Sequence, residues 1–246
     1  MDLRETATEW KGHKCIEFYF ENRRCLLVCP ETPCEGRKWL LKTEYFEAFP
    51  TLELAMLERG YHMAYIANIT RWMVPDDVDV KDRFAKFLNE KYGLNEKCVP
   101  VGMSCGGLHA VYFAAKYPER IAALYLDAPV MNILSCPAAV GRPPYTPIPY
   151  SEFEEATGIS LSKLINYRNH PIDHKEELLR ANLPIAMVAG DSDIVVPYHE
   201  NGACLVEFYR ENGGELLEIV KPGCGHHPHG LEDPTPLIEF IEKYYI

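Results

Sequence analysis

The sequence predicts an α/β protein, with a mostly parallel central sheet flanked by helices and a small cap insertion. Three observations carry this. First, short apolar runs alternate with helical stretches along all 246 residues. That rhythm implies right-handed crossovers and parallel pairing. Second, hydrophobic residues make up 47% and charged residues 25%, an ordinary globular composition. A single domain of this length buries about three quarters of its unfolded surface, enough to hold a rigid site. Third, the stretch 131–181 breaks the alternation and contains Pro137, Pro143, Pro144, Pro147 and Pro149. Long insertions of this kind are usually functional. We read 1–246 as one domain with 131–181 as a cap within it.

The elements follow in order. Residues 15–20 and 24–29 form strands, and 30–38, dense in Pro, Glu and Gly, forms a loop. Over 43–59 Phe46, Phe49, Leu52, Ala55 and Met56 share one side of a helix, which Pro50 kinks and Gly60 ends. Strand 61–67 is followed by helix 78–92, stopped by Gly93. Strand 97–101 leads to helix 105–116, and 121–126 is the next strand. Two short helical pieces lie near 150–156 and 161–167 in the cap. Strands at 184–189 and 215–220 and helices at 200–211 and 234–244 complete the pattern.

Charge and thiols limit the partners. Lys and Arg total 25 against 36 Asp and Glu, a net charge of −11. Such a chain repels nucleic-acid phosphates and anionic membranes. The first fourteen residues carry no apolar run, so no secretory signal is expected. The most apolar long stretch, 122–140, is interrupted by Asp127, Pro129, Asn132 and Pro137, so no membrane span is expected. Nine scattered cysteines without a C-x-x-C pair fit a reducing, cytoplasmic setting. Cys25, Cys29 and Cys34 read as small hydrophobes, not as zinc ligands. Asn68 and Thr70 form a chance glycosylation sequon.

The most informative stretch runs Val99, Pro100, Val101, Gly102, Met103, Ser104, Cys105, Gly106, Gly107. It is G-x-S-x-G between an apolar strand and a helix, the context of a nucleophile elbow. The turn forces Ser104 into strained dihedrals, and Gly102 and Gly106 leave room beside it. The Cys105 amide then sits at a helix N-terminus, suited to a developing oxyanion. No G-x-G-x-x-G follows a strand and no G-K-[ST] is present, which excludes the dinucleotide and P-loop readings.

A serine needs a base, and the base an orienting acid, here expected downstream in the order Ser, acid, His. The apolar run 184–189 ends in Gly190, Asp191, Ser192, Asp193. Asp193 is the favoured acid, and Asp191 caps the turn. Asp127, which ends strand 121–126, is the rival, and otherwise a strand-end turn carboxylate. After strand 215–220 come Gly223, Cys224, Gly225, His226, His227, Pro228, His229. His226 is the expected general base, and His227 and His229 are expected to make loop hydrogen bonds. Three histidines in four residues invite a metal reading. The spacing offers no separate acidic ligand and Pro228 stiffens the loop, so no metal and no cofactor is expected. His13, His62, His109, His170, His174 and His199 read as structural. The second oxyanion donor is expected after strand 24–29, from Glu31 or Gly36, because Pro30 has no amide.

Ser104 in G-M-S-C-G, Asp193 in G-D-S-D-I-V-V-P and His226 in G-C-G-H-H together resemble the α/β-hydrolase superfamily in its smaller, bacterial-esterase-like form. The resemblance covers 15–246 and implies a nucleophile, an acid and a base at these positions. Many relatives carry His-Gly in the oxyanion loop, where this chain has Cys29, Pro30 and Glu31. The expected activity is hydrolysis of a small carboxylic ester through an acyl-enzyme. Thioesterase, amidase, peptidase and acyltransferase chemistry use the same machinery, and a non-catalytic ligand-binding role is the rival of another class. The lack of room for a propeller domain argues against a large oligopeptidase. An aspartate at the elbow would mark a dehalogenase. The cap, with Arg37, Trp39, Tyr145 and Tyr150, is expected to shape the pocket. The sequence leaves a homo-oligomer open.

Overall fold

The computed structural model describes residues 5–144 and 147–246. Nine strands form one sheet in the order β1-β2-β3-β5-β4-β6-β7-β8-β9. The first three, β1 (Thr6–Trp10), β2 (His13–Phe20) and β3 (Arg23–Val28), are antiparallel. Each of the two hairpins turns on two residues. Lys11 and Gly12 have φ of 47° and 86°, and Glu21 and Asn22 have 49° and 62°. Positive φ at both central positions matches the strand twist.

From β4 (Trp39–Lys42) onward the sheet is parallel, through β5 (His62–Ile66), β6 (Val99–Met103), β7 (Leu124–Asp127), β8 (Ile185–Gly190) and β9 (Leu216–Lys221). β4, β6, β7 and β8 are buried throughout. Strands covered on both faces read as continuous apolar runs. The helices divide between the faces. On one lie α2 (Pro75–Tyr92), α3 (Cys105–Lys116), α6 (Lys175–Arg180) and α7 (Gly202–Glu211), packing Phe84, Phe113, Leu178 and Leu205 against Leu41, Leu124 and Leu126. On the other lie α1 (Thr51–Glu58) and α8 (Thr235–Tyr244), packing Leu52, Met56, Leu237 and Ile241 against Val99, Val101 and Tyr125.

The cap carries α4 (Tyr150–Thr157) and α5 (Leu161–Leu164). Phe153 and Leu164 pack there with Trp72, Leu108 and Ile133. Glu152 ties α4 to the body, accepting from Arg71 Nε at 2.6 Å and Trp72 Nε1 at 3.0 Å. The last part of 131–181, α6, packs against α3 and α7 with Leu178 fully buried. It belongs to the main helical layer rather than to the cap.

Two further expectations are corrected. Residues 43–50 are not helical; α1 starts at Thr51, with Pro50 at its N-cap. The three-residue spacing of Phe46 and Phe49 imitates a helical stripe inside a loop. β4 directly precedes that loop, and its four buried residues show no period of their own that would mark a strand in the sequence. No helix among the described residues is long and apolar enough to cross a membrane.

Candidate active site

β6 ends at Met103 and α3 begins at Cys105, so Ser104 alone makes the turn, with φ 52° and ψ −121°. A non-glycine residue in this region is strained and persists only where its surroundings hold it. The space needed is local. A Cβ on Gly102 would lie 2.7 Å from Gly107 Cα, and one on Gly107 would lie 2.3 Å from Pro129 Cβ. Gly107 is thus more constrained than Gly106, where an added Cβ would be 3.2 Å from Glu44 Cβ.

The structure brings Ser104, Asp193 and His226 together. His226 Nε2 is 3.0 Å from Ser104 Oγ, and its Nδ1 is 2.7 Å from Asp193 Oδ2. An ionised carboxylate only accepts, so Nδ1–H donates to Asp193 and Nε2 accepts the Ser104 hydroxyl proton. Asp193 Oδ1 accepts from the amides of Val195 and Val196 at 2.8 and 2.9 Å. The Asp193 side chain is 1% exposed. Asp191, its neighbour, instead accepts from Ser192 Oγ and from the Gly223 amide at 2.7 Å, shaping the turn.

The histidine loop is clamped from both sides. Lys221 Nζ donates to the carbonyls of Pro228 and Gly230 at 2.6 and 3.0 Å. Gly190 lies so close beneath that an added Cβ would be 2.2 Å from Cys224 O. Within this loop the expected loop hydrogen bonds are found for neither His227 nor His229 among the described residues. His229 does not bond loop backbone; its Nδ1 is 2.6 Å from Asp127 Oδ1. Asp127 Oδ2 accepts from the Gly230 amide at 2.7 Å and Tyr125 Oη at 2.9 Å. Asp127 therefore serves a different histidine from Asp193. Burial raises its pKa, but the hydrogen bond and charge of His229 outweigh that and hold it below the usual carboxylate range. His227 is exposed and stacks on Phe49 at 5.5 Å. Burial lowers its pKa, and His226 and His229 lower it further.

Glu31 and Gly36 are not near Ser104. Cys34 N bonds Gly60 O at 2.9 Å, and Gly36 lies beside Asn95. Both contacts precede β5 and β6, so this loop sits at the strands' N-terminal edge, opposite the elbow. The loop that does reach the elbow follows β4. Thr43 Oγ1 donates to Val101 O at 3.0 Å and Gly106 O at 2.7 Å, and Asn68 Nδ2 donates to Thr43 O at 2.7 Å. Tyr45, with φ 53°, lines the cavity over Ser104. Among the described residues, no acceptor takes the amides of Glu44 and Tyr45.

The cavity measures about 320 Å³ and is lined by Ser104 and His226 with Tyr45, Phe49, Arg71 and Val195 among others. The cap contributes Pro147 and Ile148. Arg37, Trp39 and Tyr150 do not line it. Trp39 is fully buried and donates to Asn95 O, and Tyr150 donates to Ile159 O. Tyr145 lies outside the described residues.

With the geometry in place, the comparisons bear on it. The sequence model of the prolyl oligopeptidase family matches residues 57–245. No curated protein matches the chain. Among solved structures the chain is similar to a puromycin hydrolase mutant complexed with PGG, at 16% identity and TM-score 0.63 over 98% of this chain. It spans 38% of the length of that protein. It is also similar to a truncated carbohydrate esterase from gut microbiota, at 17% identity and TM-score 0.66 over 90% of each chain. At such identities the two neighbours speak to the fold alone, and the fold is that of the α/β-hydrolases.

Proposed function

The chain belongs to the prolyl oligopeptidase family, within the α/β-hydrolases, and from that premise we propose that it is a serine hydrolase cleaving a small carboxylic ester through a Ser104 acyl-enzyme. One observation carries the assignment: the unbroken chain from Asp193 through His226 to Ser104. His226 takes the Ser104 proton as Oγ attacks the ester carbonyl. Asp193 keeps the His226 Nδ1 proton in place and stabilises the imidazolium. The Cys105 amide, with the Tyr45 amide in place of Glu31 or Gly36, holds the oxyanion. The alcohol leaves with the proton from His226. Water activated by the same imidazole then releases the acid. No bound cofactor enters any of these steps. A cavity of about 320 Å³ with apolar walls from Phe49, Ile148 and Val195 suits a compact acyl group.

Peptide hydrolysis is the second reading, and the family match favours it. The test pairs intact mass after a fluorophosphonate with a p-nitrophenyl ester series and an aminoacyl p-nitroanilide series. A single adduct on the wild type and none on Ser104→Ala is expected, with turnover falling by about 10⁴-fold or more in the variant and little change in melting temperature. An active Ser104→Ala protein overturns the assignment. Turnover of the anilides alone moves the substrate to peptides.

A further inference from the structure

The hydrolytic cycle leaves one expensive arrangement unused. Asp127, with a side chain 1% exposed, is held in the core against His229, itself 4% exposed. Neither takes part in acyl transfer. Their geometry repeats that of the pair next to them. In both, a buried carboxylate faces Nδ1, at 2.7 Å for His226 and 2.6 Å for His229. Both Nδ1 atoms therefore carry a proton, and in the neutral ring each Nε2 keeps a lone pair. The two rings lie 4.8 Å apart, and His227 completes the group with ring centroids 4.9 and 5.0 Å from theirs. One ring nitrogen from each of the three histidines lies within 4.8 Å of the others.

From this we infer that His226, His227 and His229 form a binding site for a borderline-soft divalent cation, zinc above all, and that its occupation switches the hydrolase off. Neutral imidazoles are the ligands zinc prefers, and a carboxylate behind each metal-binding histidine fixes its tautomer and raises its basicity. Here two of the three carry one. The spacing in sequence offers no acidic partner, whereas the fold supplies two, Asp127 at the end of β7 and Asp193 in the loop after β8. Zinc–nitrogen distances of about 2.0–2.1 Å place tetrahedral ligands roughly 3.4 Å apart. The group must close by something over 1 Å, and His227, exposed on the loop, is the residue free to swing. Ser104 Oγ, 3.0 Å from His226 Nε2, stands beside the fourth position. Binding occupies the lone pair with which His226 would accept the serine proton. Inhibition rests on the proposed role of His226 as base; binding does not.

The experiment therefore measures the two separately. Zinc binding is titrated by calorimetry on metal-stripped Ser104→Ala protein, which retains all three histidines. One ion per chain is expected, and His227→Ala and His229→Gln should each weaken binding at least tenfold. Asp127→Asn, which removes no ligand, should weaken it by about 10–100-fold. Cobalt replaces zinc as a spectroscopic probe. Visible bands of a tetrahedral nitrogen site support the assignment, while a near-ultraviolet thiolate charge-transfer band places the ion on one of the nine free cysteines and overturns it. Circular dichroism establishes that each variant is folded. In the wild type, zinc should slow fluorophosphonate labelling, with the half-inhibiting concentration raised in His227→Ala relative to that variant's own metal-free rate. Absence of stoichiometric binding, or binding indifferent to both histidine substitutions, refutes the site. Histidine-dependent binding without inhibition leaves the binding site standing and overturns the switch.

Discussion

At the residue scale the chain poses one choice sharply: which aspartate is the acid. Asp127 ends β7, the neighbour of the elbow strand, Asp193 lies in the loop just past the end of β8, and each holds a buried histidine. Only the histidine on Asp193 reaches Ser104. An asparagine at 193 presents an amide that can donate to Nδ1 and turn His226 into the wrong tautomer. Asp193→Asn should lower kcat by about 10⁴-fold with the fold intact, as such tautomer errors do in serine triads. Asp127→Asn disturbs a histidine that holds no reacting proton, and its kcat should stay within about tenfold of wild type. Steady-state kinetics on the two variants decide the matter, and a larger loss at Asp127 would reverse the assignment. G-x-S-x-G and the two later clusters made Ser104, Asp193 and His226 legible, because each motif encodes a turn as well as a side chain. The Asp127–His229 pair was not legible. Its members are 102 positions apart, and nothing local to Leu126, Asp127 and Ala128 announces a partner.

At the scale of elements, the site depends on how closely loops approach strand ends. Gly190 ends β8, and the carbonyls of Cys224 and Gly225 would lie 2.2 and 2.5 Å from a Cβ placed there. Both are backbone atoms, which cannot rotate away. Gly190→Ala should therefore push the histidine loop off the sheet edge. The expected cost is about 1–3 kcal/mol of stability, as for other overpacked sites, together with a fall in kcat from misplacement of His226. Gly223→Ala makes a contrast: its φ of 67° strains a side chain, but no atom lies within 4 Å of an added Cβ. Urea midpoints and kcat for both variants test this, and equal effects would argue against loop approach as the controlling factor. The same scale explains what pattern reading missed. β4 is four residues long with every one buried, including Lys42, whose ammonium is paired with Glu53. A charged residue at its end and a false helical stripe after it hid the strand. With β4 hidden, the loop expected beside Ser104 falls one connection too early, at Glu31 and Gly36.

For the whole molecule, acid sensitivity follows from buried histidines that the proposed mechanism does not use. His62 opens β5 at the edge opposite Ser104, 2% exposed, and burial and then the Arg37 charge lower its pKa to about 4. His109 in α3 is fully buried and also titrates well below its ordinary value, again chiefly through burial. In the unfolded chain both take up protons near pH 6.5. Between that pH and about 4 the unfolded state binds more protons than the folded one, so unfolding becomes easier as pH falls. The stability is fully present above about pH 6.5 and is lost on the way down. His62 alone accounts for up to about 3 kcal/mol across that window. The same window contains the isoelectric point near 5.3, where net charge no longer opposes association. Urea unfolding at low protein concentration, followed from pH 7.5 to 4.5, separates the two effects. His62→Gln should flatten the stability profile relative to wild type without shifting the pH dependence of kcat, because the substitution lies across the sheet from His226. A profile unchanged by His62→Gln would move the acid lability to His109.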